Sequence, residues 1–322
     1  DDILINSTGA GTAGRIAQIE DVPSATTIDG HMILIRSNGK LTQKFLGYAL
    51  KAHQWEVLQL DEGSTGQTEL NRDRLLDEIM INYPVSLDEQ NAIVGTLESI
   101  DRKLIVNEQL NDNLQQQATA LFSSLYDRSN TEVRFTDLIQ ILGGGTPKTG
   151  ENTYWNGNIA FFTPKDVGIP YTLITEKTIS EEGLSHCNSR LYPVNTVFVT
   201  ARGTVGKVGM SGVPMAMNQS CYALVGKETH QLLVYFYTLK TVDRLKHKAS
   251  GAVFDAITTR DFESEQIMKL SDDDATAFLC VAEPMFQEIL NNNIENLRLS
   301  TLRDSLLPKL MSGEIDVSAV QL

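Results

Sequence analysis

Two stretches decide the fold, IVGTLESIDRKLIVNEQLNDNLQQQATALFSSL at residues 93–125 and FLCVAEPMFQEILNNNIENLRLSTLRDSLLPKL at residues 278–310. In the first, Ile93, Leu97, Ile100, Leu104, Asn107, Asn111, Leu114, Ala118, Leu121 and Leu125 recur at alternating steps of four and three. In the second, Phe278, Ala282, Met285, Ile289, Asn292, Asn296, Leu299, Arg303, Leu306 and Leu310 recur at the same steps in the same order. That alternation is the a/d pattern of a coiled-coil seam. Asn107 matches Asn292 and Asn111 matches Asn296. A buried Asn weakens a seam but rejects registers in which it loses its partner. The spacing predicts one duplicated long helix, over Ser86–Asp127 and Ser271–Ser312, that pairs with its own copy.

Outward from the helices the repeat continues. Ile3-Leu4-Ile5 before Gly11-Thr12-Ala13-Gly14-Arg15 parallels Val197-Phe198-Val199 before Gly203-Thr204-Val205-Gly206-Lys207. Leu70, Asn71 and Leu75 parallel Ile257, Thr258 and Phe262. The expected organisation is a first globular stretch at 1–83, a helix at 84–130, a second globular stretch at 131–270, and a helix with tail at 271–322. No counterpart of residues 131–195 is found ahead of Asp1 or after the second helix, so the first globular unit is expected to be partial. The fold class read from these elements is α+β, two α/β units separated by two long helices. Element by element, strands are expected at Ile3–Ile5, Met32–Arg36, Ile159–Thr163, Thr196–Thr200 and Cys221–Val225. Helices are expected at Thr42–His53, Arg72–Glu78, Phe135–Leu142 and Gln231–Lys248. A loop is expected at Gly63–Gln67, a turn at Tyr154–Gly157, and a polar loop with a short helix at Ser250–Gln266.

Composition sets the class. A chain of 322 residues with 41% hydrophobic and 21% charged residues is that of an ordinary globular protein. No apolar run approaches the ~20 residues of a membrane span, and no export signal opens the chain. Cys187, Cys221 and Cys280 are too scattered for a metal site or a disulfide framework, as in a reducing cytoplasm. The net charge of −14 opposes nucleic-acid binding at first sight, but it is unevenly spread. Residues 131–270 hold 14 basic and 13 acidic side chains, whereas residues 271–322 hold 3 and 9.

The chemistry-bearing motifs are few. Gly9-Ala10-Gly11-Thr12-Ala13-Gly14 follows a strand and spells a dinucleotide fingerprint, with Asp29 twenty residues beyond Gly9. The fingerprint needs a helix opening inside it, and Pro23 interrupts. A nucleotide-binding enzyme built on Gly9–Gly14 is therefore the minor reading. Gly143–Thr149 lacks the ending of a P-loop, and His186-Cys187 has no orienting third group. His31, His53, His230 and His247 are isolated, and no Asn/Asp-Pro-Pro-aromatic motif of amino-methyltransferases is present. The residues of the second globular stretch make a better case for DNA. Lys240, Arg244, Lys246, His247 and Lys248 end a helix before Ser250-Gly251. Arg202 and Lys207 flank a Gly-rich hairpin, Asn218-Gln219 precede a strand, Lys165 follows Pro164, and Arg260 lies beyond. Such groups fix phosphates and read base edges. Set against this, Lys and Arg at a helix C-terminus also suit the helix dipole.

The chain resembles the specificity subunit of type I restriction–modification enzymes. The resemblance rests on Gly144-Gly145-Thr146-Pro147, Tyr154-Trp155-Asn156-Gly157-Asn158-Ile159, Thr163-Pro164-Lys165-Asp166-Val167, Val199–Gly206, Asp88-Glu89-Gln90 and the ending Leu306-Leu307-Pro308-Lys309-Leu310-Met311-Ser312-Gly313-Glu314-Ile315. It implies two target-recognition domains that read a split DNA site, held apart by two antiparallel helices. Of that helix seam, Leu97, Leu104, Asn107, Asn111, Leu114, Leu121, Met285, Ile289, Asn292, Asn296, Leu299 and Leu306 are the residues singled out. About 40 residues at ~1.5 Å rise give ~60 Å of helix, more than a DNA turn of about 34–36 Å. The resemblance further implies no catalysis and no cofactor in this chain. S-adenosylmethionine and ATP would belong to two partner methyltransferase subunits and to restriction subunits. The DNA-contacting residues expected on this basis are Lys165, Arg202, Lys207, Asn218, Gln219, Lys246, Lys248, Ser250 and Arg260. A scaffold that binds methyltransferase subunits without reading DNA is the alternative.

Overall fold

The computed structural model describes residues 1–317 except 21, 23, 63–68, 169 and 249–255. The chain divides into two compact units, residues 1–106 with 296–322, and residues 107–295. The first begins with β1 (Ile3–Asn6), β2 (Ile16–Gln18) and β3 (Met32–Ile35), an antiparallel sheet in the order β2-β1-β3. Then come α1 (Gln43–Ala52), α2 (Gln54–Leu58), β4 (Asp61–Glu62), β5 (Glu69–Leu70), α3 (Arg72–Glu78) and α4 (Leu87–Arg128).

Local chemistry sets these boundaries. The Thr42 side chain caps α1 by accepting from Phe45 N at 3.2 Å, and Asn71 caps α3 through Asp73 N and Arg74 N. Gln90, fully buried, ties the start of α4 to the rest of the unit. Its Nε2 donates to Pro84 O at 2.8 Å, and its Oε1 accepts from Thr42 N at 2.9 Å. Phe45, Tyr48 and Ala49 of α1 pack with Ile93, Val94 and Leu97 of α4 and with Leu307, Leu310 and Met311. The Gly9–Gly14 stretch is the turn of the β1–β2 hairpin, with Ile3 opposite Gln18. No helix opens there, since α1 starts only at Gln43. The dinucleotide reading is therefore wrong: its glycines serve a strand–turn–strand hairpin, with φ of +72° at Gly11 and +83° at Gly14. The expected loop at Gly63–Gln67 lies outside the described residues.

The second unit contains β6 (Thr131–Arg134), α5 (Phe135–Leu138), β7 (Ile139–Gly143), β8 (Trp155–Phe162), β9 (Tyr171–Thr172), β10 (Lys177–Ile179) and α6 (Glu181–Ser185). It continues with β11 (Val197–Thr200), β12 (Val208–Ser211), β13 (Met215–Met217), β14 (Cys221–Gly226), α7 (Gln231–Lys248), α8 (Thr259–Ser264), β15 (Gln266–Lys269) and α9 (Asp272–Met311). A five-stranded sheet runs β7-β14-β11-β12-β9, a three-stranded one β10-β8-β13, and β15 pairs with β6. The helix expected over Phe135–Leu142 is only one turn long. From Ile139 the chain pairs with β14, Gly143 facing Tyr222, and the ladder outweighs helical periodicity. The turn expected at Tyr154–Gly157 is already strand from Trp155. Asn156 sits at φ 59°, and the β8–β10 register shifts nearby.

The repeat is visible bond by bond. Asn6 N donates to Arg15 O at 3.0 Å, and Thr200 N to Lys207 O at 3.0 Å. Gly14 N donates to Asn6 O at 2.7 Å, and Gly206 N to Thr200 O at 2.8 Å. Leu70 N donates to Ser7 O at 2.7 Å, and Ile257 N to Ala201 O at 3.0 Å. Thus β1, β2 and β3 correspond to β11, β12 and β14, and α3 corresponds to α8.

Every apolar and Asn position of the seam is buried or half-buried. Within the second unit Asn107 Nδ2 donates to Glu295 Oε2 at 2.7 Å, Asn292 Nδ2 to Asn111 Oδ1 at 2.8 Å, and Arg128 pairs with Asp274 at 2.7 Å. Residue numbers rise on α4 as they fall on α9, so the helices are antiparallel. In the first unit Arg303 pairs with Asp101 at 2.9 Å. The compact units divide within both helices, whereas the sequence predicts boundaries at the helix ends. The reason is packing: Ile93 and Leu97 join the first core, Ala118 and Phe122 the second.

Asn111 also donates to Asn293 at 2.9 Å, so both ends of its amide are used. Asn111→Leu leaves Asn292 buried without that partner, and the expected loss is about 1–3 kcal/mol in denaturant unfolding. The double change with Asn292→Leu should be less destabilising than the sum of the singles, because no orphaned amide remains.

Candidate nucleic-acid interface

The second unit gathers polar and basic side chains from several loops. The β11–β12 turn carries Arg202 and Lys207, with φ of +81° at Gly203 and +76° at Gly206. Thr200 Oγ1 accepts from Lys207 N at 2.9 Å and fixes the far side of the turn. Against one flank lies the loop after β8, where Pro164 O accepts from Thr204 Oγ1 at 3.2 Å, which brings Lys165 to the turn. Asp166 shapes that loop by accepting from Thr163 N at 2.8 Å. Against the other flank the Lys246 stem covers Gly206, where a Cβ would sit 2.5 Å from Lys246 Cε. At the base, Arg202 N donates to Ser220 O at 3.3 Å, and Arg202 bridges to Ala256. That contact joins the turn to Asn218-Gln219. Gln219 in turn accepts from the Thr146 hydroxyl in the Gly144–Pro147 loop. Lys165, Arg202, Lys207, Gln219 and Lys246 are exposed and Asn218 is half-buried.

Not every expected residue joins this surface. Lys248 pairs with Glu265, which is 2% exposed and is also approached by Arg244 at 3.7 Å. Its charge compensates a buried carboxylate, a structural duty. Arg260 stands exposed on α8, whose Phe262 packs on Phe135 and Tyr222. Ser250 lies outside the described residues. The loop-linking groups Ser220, Thr204 and Thr146 are not among the site residues expected from sequence. The Gly144–Pro147 motif was the only available signal for Thr146.

The surface carries groups of the kind that hold phosphates and base edges. Behind it, burial pushes the Cys221 thiol up to about 12, so it stays protonated. His186 stacks on Tyr154 at 4.9 Å, and Cys187 is directed to Leu184 O, so these neighbours do not act as a pair. Among the described residues no His, Cys, Asp and Glu cluster is placed to hold a metal ion. None of their helices is long and apolar enough to cross a membrane.

Similar proteins give this geometry a setting. The specificity subunit of the type I restriction enzyme MjaIX from Methanocaldococcus jannaschii is 31% identical over 127 residues, 38% of this chain and 29% of that protein. The HindI specificity subunit from Haemophilus influenzae is 28% identical over 186 residues, 56% of this chain and 40% of that protein. The chain thus matches less than half the length of either relative. The solved S subunit of a type I restriction–modification system from M. genitalium shares the fold, with a TM-score of 0.61 at 16% identity, over 96% of this chain and 82% of that one. The family described as Type I restriction modification DNA specificity domain matches residues 1–116 and 128–269, well over half of the chain. On that match, the chain belongs to the type I restriction modification DNA specificity domain family.

Proposed function

We propose that the chain is the DNA-reading subunit of a type I restriction–modification system. In this reading the second unit takes one half of a split target in the major groove. Lys165, Lys207 and Lys246 fix phosphates, while Arg202, Asn218 and Gln219 meet base edges. The observation that carries it is the knitting of four separate loops into one exposed surface rich in Lys, Arg, Asn and Gln, within a chain of net charge −14. Local concentration of positive charge on an acidic protein is what phosphate binding requires. The acidic long helices suit docking of other subunits, here two methyltransferase subunits with restriction subunits beyond them. S-adenosylmethionine, ATP and the bond-making steps belong to those partners, and the assembly works in the cytoplasm.

The test is a titration of duplex DNA with the purified chain, alone and with the modification subunit of its system, over a range of salt. Sequence-selective binding that weakens linearly in log–log salt supports the reading. Tight binding of the modification subunit with no preference among DNA sequences overturns it in favour of a scaffold.

A further inference from the structure

We infer that Asp29 occupies in the first unit the place that Asn218 occupies in the second, and that the two positions select base edges of opposite hydrogen-bonding sense. This inference rests on the DNA-reading function proposed above. The equivalence is drawn by hydrogen bonds. Asp29 Oδ1 accepts from His31 N at 2.7 Å, and Asn218 Oδ1 accepts from Ser220 N at 3.0 Å. Asp29 O accepts from Met32 N at 3.1 Å, and Asn218 O accepts from Cys221 N at 3.4 Å. The next carbonyls match as well: His31 O accepts from Ser7 N and Ser220 O from Ala201 N, both at 2.8 Å. Each side chain thus sits on the same turn, ahead of β3 in one unit and β14 in the other.

Because a backbone N–H holds one oxygen of each side chain, the atom left over is settled by chemistry. Asn218 retains its NH2 group, a pure donor, and Asp29 retains a carboxylate oxygen, a pure acceptor. In the major groove a lone donor suits G O6 or N7, T O4 or A N7, and a lone acceptor suits C N4 or A N6. The surroundings sharpen the contrast. The bridge of Thr8 to Glu69 matches that of Arg202 to Ala256, so Thr8 stands where the second unit has Arg202. Arg15 stands where it has Lys207. Gly30 stands where the second unit has Gln219, and Asp29 is exposed. The first surface therefore offers an acceptor where the second offers a donor.

The isosteric exchanges Asp29→Asn and Asn218→Asp test this, since each keeps the oxygen that closes the turn. The full chain with its modification subunit would select duplexes from a randomised pool, and the enriched sequences would be compared. Asp29→Asn is expected to lower the preference for C or A over G or T on the contacted strand, at one position of one half-site, by about tenfold, leaving the other half-site unchanged. Asn218→Asp should act in the opposite sense in the other half-site. Asp29→Ser, which keeps a turn oxygen but removes the outward one, should lose the same preference without gaining a new one. Unaltered enriched sequences from variants that still select DNA overturn the inference alone. No enrichment by the unsubstituted chain overturns the reading surface together with it.

Discussion

Replacing Arg202, Lys207 and Lys246 together by alanine is expected to lower affinity for duplex DNA by on the order of 10²-fold near physiological salt. The three come from two elements that meet at one turn, where the Lys246 stem lies over Gly206 and Arg202 and Lys207 flank Gly203-Thr204-Val205-Gly206. All three are exposed, and among the described residues none is paired with a buried carboxylate as Lys248 is with Glu265. Their loss should therefore leave thermal unfolding nearly unchanged while the binding surface loses its charge. The slope of log affinity against log salt should flatten by about 0.9 for each phosphate contact removed. Lys246→Ala alone should weaken all sequences alike, whereas Arg202→Ala should also relax choice at a base position, because only the guanidinium presents a planar fork to a guanine edge. Anisotropy titrations at three or more salt concentrations separate the two effects. An unchanged affinity for the triple variant would place the DNA surface elsewhere on the chain.

The helices were the most legible part of the chain, because apolar residues in steps of four and three follow the period of a helix with one packed stripe. The helices span Leu87–Arg128 and Asp272–Met311, within a residue of the stretches read from sequence. The Gly-rich hairpins were legible through their positions after apolar triplets. What stayed hidden depends on non-local pairing. Strands β13 and β9 have three and two residues, and they exist because Met215 faces Ala160 and Tyr171 faces Met210 in parallel registers that no local period announces. The strand at Ile139–Gly143 was hidden for the same reason. At the candidate site the basic residues were legible as types, but their duties were not. Lys248 reads like Lys246 in sequence, yet one faces a buried Glu265 and the other covers a glycine. The match of Asp29 with Asn218 escaped because the two side chains differ, and the shared hydrogen bonds of their turns reveal it.

Phe122→Ala is expected to cost the second unit about 3–5 kcal/mol, the largest stability effect of any single change considered. Phe122 is 1% exposed and lies beside the seam of α4 rather than in it. Its ring stacks on Phe236 of α7 at 4.9 Å and on Tyr126 at 5.6 Å, and it meets Phe278 of α9 edge-on at 5.4 Å and Tyr237 at 5.5 Å. One side chain thus clamps three helices, including the α7 helix whose far end carries Lys246. Truncation removes the buried ring, opens a cavity between helices held rigid by other contacts, and forfeits aromatic pair terms of about 0.5–1.5 kcal/mol each. Phe122→Leu refills most of that space and should cost clearly less, which separates the cavity from any effect on the helix itself. Urea unfolding followed by far-ultraviolet circular dichroism measures the difference, and a second transition at lower denaturant would mark the second unit melting first. In DNA titrations the alanine variant should lose binding on warming well before the unsubstituted chain, because the Lys165, Arg202, Lys207 and Lys246 surface persists only while this core holds α7 in place. A loss below about 1 kcal/mol would mean that the helices close over the missing ring.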